Sequence, residues 1–285
     1  MRAGLLALFL LGSLSARAQS PVWALHGAHN TVYLAESVHL LKADNAQLPA
    51  AFQRAYAAAS RIVMEIDLSH LDPAQLSGYM LEHGALKGDT SLQQLLGAPA
   101  YQRLGTETQR LGLPVETLDH LQPWVVALSL TDLEYLKLGY DPEQGVERQI
   151  ERLAEHDGKP ISGLETLEEQ LGHLERLTGE QQRRFLLLTL DDLNDAEHDT
   201  DELLAAWRAG DTARLASLLG EEYRSFPELY RALVTERNRN WMPQIERFAR
   251  EREDYLVVVG ALHLVGQGGL LELARAAGFS VTPVR

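Results

Sequence analysis

Apolar positions along this chain follow two patterns. At both ends they gather in short dense runs; through the middle they recur every three or four residues. "TVYLAESVHLL" (Thr31–Leu41) predicts a strand, "LPAAFQRAYAAASR" (Leu48–Arg61) a helix with few breakers, and "RIVMEIDLS" (Arg61–Ser69) a second strand. Strand, helix and strand within about 40 residues fit a right-handed βαβ unit. The far end mirrors it: "YLVVVGALHLV" predicts a strand, "GGLLELARAAG" a helix closed by Gly278, and "FSVTPV" a last strand. Between them, "EQGVERQIERLAEHDGKP" predicts a helix ended by Gly158 and Pro160, "PISGLE" a short strand, and "TLEEQLGHLERLTGEQQRRFLLLTLDDL" and "DELLAAWRAGDTARLASLL" further helices. The expected fold is therefore α/β. A mixed or mostly parallel central sheet is built from both chain ends, with a large helical insertion at roughly 80–250.

The first residues are set apart from this fold. "MRAGLLALFLLGSLSARAQS" has a basic start at Arg2, an apolar run from Leu5 to Leu11, and Ala16 and Ala18 in an A-x-A arrangement. Residues 1–18 therefore read as a cleaved secretory signal, too short in its apolar run to span a bilayer. Residues 19–285 are then a single exported domain, periplasmic or secreted, with no membrane span. The chain has no cysteine, so neither a disulfide nor a thiolate nucleophile is available. Its formal charge is −14, or −16 once Arg2 and Arg17 are removed, which argues against nucleic acid as a partner.

Polar residues inside the apolar runs are the candidates for chemistry. His263 follows a strand that reads as central, and Gly260 before it gives the backbone room to turn; the other reading is a core histidine with one hydrogen bond. His39 stands in a matching context after the first strand. Glu65 lies among Ile62, Val63, Met64 and Ile66, where an unpaired carboxylate would be costly, so an arginine or a metal should face it. Arg237 shares an apolar stripe with Leu229, Leu233, Trp241, Ile245 and Phe248, so it either reaches along the surface or is held inward by a carboxylate. Glu165, after "PISGL", either faces the same cleft or stabilises the start of the next helix. Glu169 and His173 are spaced as an exposed helix pair, and His26 and His29 read as a surface loop before the first strand. No H-E-x-x-H and no G-x-S-x-G occurs, and "GQGGL" (Gly266–Leu270) lacks the full glycine fingerprint of a nucleotide site.

Four stretches, in order, carry a resemblance: "NTVYLAESVHLL", "GKPISGLETLEEQL", "ERNRNWMPQIE" and "YLVVVGALHLVGQGGLLELARAAGFSVTPV". Together they resemble the TraB/GumN family, which includes PrgY-like and Tiki proteins. The resemblance implies an α/β core and, from the Tiki proteins, a metal-dependent protease with two Gly-x-x-His motifs. The second motif is present as Gly260 and His263; the first keeps His39 but has Glu36 where the family has glycine. Glu65, Glu165 in "LET" and Glu236, Arg237 and Asn238 in "ERN" match family positions, while "GVE" (Gly145–Glu147) stands where many members have Gly-Val-Asp.

The expected activity is thus metal-dependent hydrolysis, peptidase-like, on a small peptide or protein substrate. His39, His263 and Glu65 would be ligands of a zinc, manganese or cobalt-like ion, Glu65 or Glu165 would act as general base, and Arg237 would steady a carboxylate or an oxyanion. The competing expectation is an exported binding protein for a peptide, glycan or porphyrin-like ligand, disabled for catalysis by Glu36 in the first turn.

Overall fold

The computed structural model describes residues 20–67, 69 and 72–285; the signal-like segment 1–18 lies outside the described residues. Six strands form one mixed sheet: β1 (Val22–His26), β2 (Thr31–Ser37), β3 (Arg61–Met64), β4 (Ile161–Gly163), β5 (Tyr255–Gly260) and β6 (Ser280–Pro283), in the order β4-β3-β5-β2-β1-β6. β5 runs parallel to both β2 and β3, and β3 parallel to β4, while β1 is antiparallel to β2 and β6. Every residue of β5 is buried, as its unbroken apolar run requires of a central parallel strand.

The two chain ends do build the sheet, with corrections to the expected elements. β1 was not among the expected strands, and its last residue, His26, was expected in a loop; it is a strand because its hairpin partner β2 and the distant β6 both pair with it. His26 is its last residue, with Nε2 3.1 Å from Thr282 Oγ1. β3 stops at Met64, so Glu65 is free to turn away from the ladder. The central helical region contributes β4 to the sheet edge, and its Trp207 is buried with the indole N–H donating to Glu36 O at 2.8 Å. Its helices Val146–Asp157 and Glu236–Phe248 also pack into the sheet's core, through Val146 and Ile150 and through Trp241 and Ile245, while other parts of the region close over two apolar clusters of their own, around Leu104, Leu130 and Leu186 and around Trp124 and Phe226. No helix among the described residues is long and apolar enough to cross a membrane.

Topology fixes where a site can form. The helix Ala50–Ala58 carries the chain from β2 past β5 to β3, whereas the helix Leu270–Ala276 carries it from β5 past β2 and β1 to β6. Right-handed crossovers in these opposite directions lie on opposite faces of the sheet. A crevice therefore opens between the C-terminal ends of neighbouring β2 and β5, the place where open α/β sheets bind ligands.

Glu36 lies within β2 opposite Val259, not in the turn. Strand alternation puts it with Val32 and Leu34 and on the other side from Ser37. It is fully buried and neither carboxyl oxygen has a hydrogen-bond partner. Burial raises its pKa to about 8; the Trp23 indole, near but not in bonding geometry, lowers it only in part. Between pH 4.5 and 8 the folded chain thus holds a proton that the unfolded chain has released, and stability falls as pH rises across that window. One such proton corresponds to about 1.4 kcal/mol per pH unit. Urea unfolding between pH 5 and 8 should therefore decline less steeply in Glu36→Gln than in the parent, by about that slope; parallel declines would show that Glu36 is ionised in the fold.

Candidate functional site

Four parallel strands end on one edge of the sheet, and each delivers one candidate. His39 comes two residues after β2, Glu65 directly after β3, Glu165 two after β4 and His263 three after β5. Gly260 shows how closely three of them converge. A Cβ there would lie 3.3 Å from Glu65 Oε1, 3.4 Å from His39 Nε2 and 3.7 Å from His263 Cδ2, so glycine keeps open the point they surround.

Arg237 ties three of the four together. It comes from the helix Glu236–Phe248, entered through a π-helical turn at Arg231–Thr235, a device that often re-aims side chains at functional sites. Pro243 is accommodated inside this helix without ending it. All five guanidinium N–H groups are committed. Nε donates to Glu165 at 2.9 Å, Nη2 to Glu165 at 2.6 Å and to Glu65 at 2.5 Å, and Nη1 to the Leu233 carbonyl at 3.1 Å and to His263 Nε2 at 3.0 Å. The apolar stripe does hold an arginine turned inward, and its ion-pair partners are the carboxylates of Glu65 and Glu165. Glu165 also accepts from the Trp241 indole at 3.1 Å. The N-terminus of the following helix is capped instead by Thr166 with Glu169, which takes Glu169 out of the expected pair with His173.

The hydrogen-bond network fixes the His263 tautomer. Asn238 Nδ2 donates to the carbonyls of His263 and Gly268, so its Oδ1 must face His263 Nδ1, at 2.8 Å, and that nitrogen carries the proton. Nε2 then offers a lone pair, which accepts from Arg237. Burial and the Arg237 charge lower the His263 pKa, to about 3, against the attraction of Glu65. The imidazole is therefore neutral. Desolvation raises the pKa of Glu65, but its neighbours reverse this and hold it at about 2. With His263 neutral, the cation facing Glu65 at contact distance is Arg237, assisted by the Gly260 amide at 2.7 Å and the Gln170 amide at 3.0 Å. Burial raises the pKa of Glu165 despite its bonds from Arg237.

His39 has the opposite environment. Its ring is 66 % exposed, with Nδ1 held 2.6 Å from Glu147 Oε1. Glu147 is itself fixed by the Ser37 hydroxyl. The carboxylate's attraction raises the His39 pKa; for Glu147, burial is outweighed by His39 and Ser37, and its pKa is lowered. Gly145 makes this pairing sterically feasible, because a Cβ there would fall 2.1 Å from the His39 carbonyl oxygen. The Val146 amide docks on the Val38 carbonyl at 3.1 Å. A pocket of about 160 Å³ opens beside these groups, with His39, Glu65, Glu147 and Gln170 on its polar wall and Met64 and Ile161 on its apolar wall. His263, Arg237 and Glu165 lie outside that lining, and Glu36 does too.

Sequence reasoning found His39, Glu65, Glu165, Arg237 and His263 but passed over Glu147 and Gln170 as site groups. Periodicity gave no usable signal for them: on the helix Val146–Asp157, Glu147 and Glu151 flank the buried stripe of Val146, Ile150 and Ala154 as solvated residues would. His29 and His173 do not join the pocket lining, and the Gly266–Gly269 loop is engaged internally through Asn238 and Glu272.

A divalent ion shared by His39, His263 and Glu65 does not fit this arrangement. The His263 lone pair that would bind it already accepts from Arg237, and the ion would press against a guanidinium. Arg237 would have to withdraw first. His39 keeps Nε2 open with a carboxylate on Nδ1, an orientation that serves either metal ligation or proton transfer.

Residues 21–283 match the TraB/PrgY/gumN family, so the chain belongs to that family. Over 247 residues it is 26 % identical to the uncharacterized protein YbaP of Escherichia coli (strain K12), covering 85 % of this chain and 87 % of that one. YbaP of Shigella flexneri matches with the same figures. No solved structure matches the chain.

Among the described residues, Arg237 is the Lys or Arg side chain in ion-pair contact with Glu65 and Glu165. Arg237→Met would leave both buried carboxylates without it, a loss of about 3–5 kcal/mol by analogy with other broken buried pairs. Urea denaturation at pH 7 should register that loss, and adding Glu65→Gln should recover part of it. A loss below about 1 kcal/mol would mean that the cluster is not held by this charge.

Proposed function

We propose that this family member is a hydrolase of amide or ester bonds in which His39 is the general base. The observation that carries the proposal is the His39–Glu147 pair: Nδ1 is held by a buried carboxylate, and Nε2 faces a pocket that also contains Glu65. In this reading a water between Nε2 and the substrate carbonyl loses its proton to Nε2 as it attacks. Glu147 stabilises the imidazolium, which then protonates the leaving amine or alcohol. Gln170 uses one Nε2 hydrogen on Glu65 and has a second to offer the oxyanion. Arg237 has no uncommitted N–H, so its part is to hold Glu65 and to keep His263 neutral. Glu65, ionised and fixed by the Gly260 amide, orients the water.

A peptide is the first substrate class to test, on the resemblance to Tiki proteins. The metal-dependent version of the reaction would require Arg237 to leave His263. The binding-protein reading drew on Glu36 entering the site, and Glu36 faces the core instead. The signal-like residues 1–18 support an exported, periplasmic or secreted protein.

The test is the pH dependence of kcat/KM on a quenched-fluorescent peptide and on a p-nitrophenyl ester. With the His39 pKa raised, activity should climb with pH through a value above 6.5 and then level off. Glu147→Gln should move that climb to lower pH, and His39→Ala should lose about 10²–10⁴-fold. Activity should survive dialysis against chelator. Loss on chelation with recovery on added zinc, manganese or cobalt would favour the metal-dependent version; equal rates in parent and His39→Ala would defeat the general-base role.

A further inference from the structure

We infer that the pocket beside His39 selects its substrate by a positively charged side chain, lysine or arginine, and that Glu151 is the residue that receives the charge. The inference rests on the hydrolase reading for the bond attacked, and on the walls of the pocket for the choice of side chain.

Three carboxylates line the pocket, Glu65, Glu147 and Glu151, and among the described residues no Lys or Arg side chain does. Glu65 and Glu147 have lowered pKa values and are ionised at neutral pH. Glu65 shares its arginine with Glu165, and Glu147 is matched by His39 only while that ring is protonated. With His39 neutral, as a general base must be, Glu147 has no cation in contact among the described residues. Glu151 adds an acceptor that is not used up. The residue is 6 % exposed, and its Oε2 accepts from Arg148 Nη1 at 2.7 Å. Arg148 is itself shared with Glu143, at 3.6 Å. Among the described residues no hydrogen bond ends on Glu151 Oε1. A nearly buried carboxylate oxygen that lines a cavity without a donor is stabilised by any N–H brought to it, most of all by a charged one.

The rest of the lining says what carries the charge. Met64, Ile66 and Ile161 make an apolar wall, which offers nothing to a bare ion but covers the methylenes of a Lys or Arg stem. At about 160 Å³ the pocket is smaller than the roughly 300–1,000 Å³ that takes a whole small-molecule ligand, and it suits a single side chain. Its depth fits as well. Glu147, in contact with His39, and Glu151 are four residues apart on the helix Val146–Asp157, about 6 Å of rise. A substrate residue whose backbone lies beside His39 Nε2 can therefore lay its stem along the apolar wall and bring its charged end to Glu151. A glutamate or aspartate side chain in the same place would meet like charges.

The probes are acetylated, amidated pentapeptides Ala-Ala-Xaa-Ala-Ala with lysine, arginine, norleucine or glutamate at Xaa. Their binding is measured by titration calorimetry on the whole protein carrying His39→Ala, so that no turnover intervenes, and their cleavage is measured on the parent protein. The lysine or the arginine peptide should bind at least about tenfold more tightly than the norleucine peptide, the worth of a hydrogen bond between charged groups, and the glutamate peptide should bind most weakly. Glu151→Gln keeps the size of the side chain and an oxygen for Arg148, so the fold should persist. In it the ratio of basic to norleucine affinity should fall to within about twofold; a merely structural role for Glu151 would shift all four peptides alike and leave the ratio in place. A ratio near one before the substitution, a ratio that Glu151→Gln does not lower, or no binding of either basic peptide would each overturn the inference. A basic preference that Glu151→Gln abolishes, with no cleavage of any peptide by the parent, would leave the pocket assignment standing and defeat the hydrolase reading. Cleavage by the parent with no preference among the four peptides would do the reverse.

Discussion

The guanidinium of Arg237 is the contact on which this site depends. It places one positive charge among two buried carboxylates and a buried imidazole, and all five of its N–H groups find acceptors there. A charge cluster removed from water is stable only when each member is compensated in both charge and hydrogen bonds. Remove the arginine, and Glu65 and Glu165 become two uncompensated anions. With it in place, Glu65 is held ionised, His263 is held neutral, and the open functional group left at the surface is His39. Two histidines with similar sequence contexts thus acquire opposite electrostatics: one is neutral and inaccessible, the other is attracted toward the charged state by Glu147.

The fold brings these groups together without long-range coincidence. Parallel strands have their C-terminal ends on one edge, and crossovers leaving β2 and β5 in opposite directions open a crevice there. The four candidates each sit within three residues of such an end. What the topology does not provide, two glycines do. Gly260 leaves the space that His39, Glu65 and His263 surround, and Gly145 lets the helix carrying Glu147 approach the His39 carbonyl closely enough for the pair to form. The helical region between the chain ends supplies Arg237, Glu147 and Gln170, so it completes the site as well as covering the sheet.

Much of this was readable from residues. A glutamate inside "IVMEI" and an arginine on an apolar helix stripe each announced a buried charge that needed a partner, and they prove to be partners of one another. The placement of Glu36 was readable too, since alternation through Val32 and Leu34 points it into the core; the pull of a motif obscured it. Other features could not be read. β1 is a strand only because residues far along the chain pair with it. Glu147 and Glu151 look like the solvated flank of an amphipathic helix until the neighbouring segment is in place. The Arg237–His263 bond, which decides the fate of the second histidine, joins a helix to a post-strand turn and leaves no periodicity behind.

The most direct test of this account is a long-range proton–nitrogen NMR spectrum of the protein with ¹⁵N-labelled histidine, recorded from pH 5 to 9 before and after one equivalent of zinc. The account predicts that His263 is a neutral Nδ1–H tautomer throughout, unmoved by zinc, while His39 titrates above 6.5. A His263 that titrates near 6.5, or whose Nε2 resonance moves on adding zinc, would contradict it, because either result requires Arg237 to have released that nitrogen.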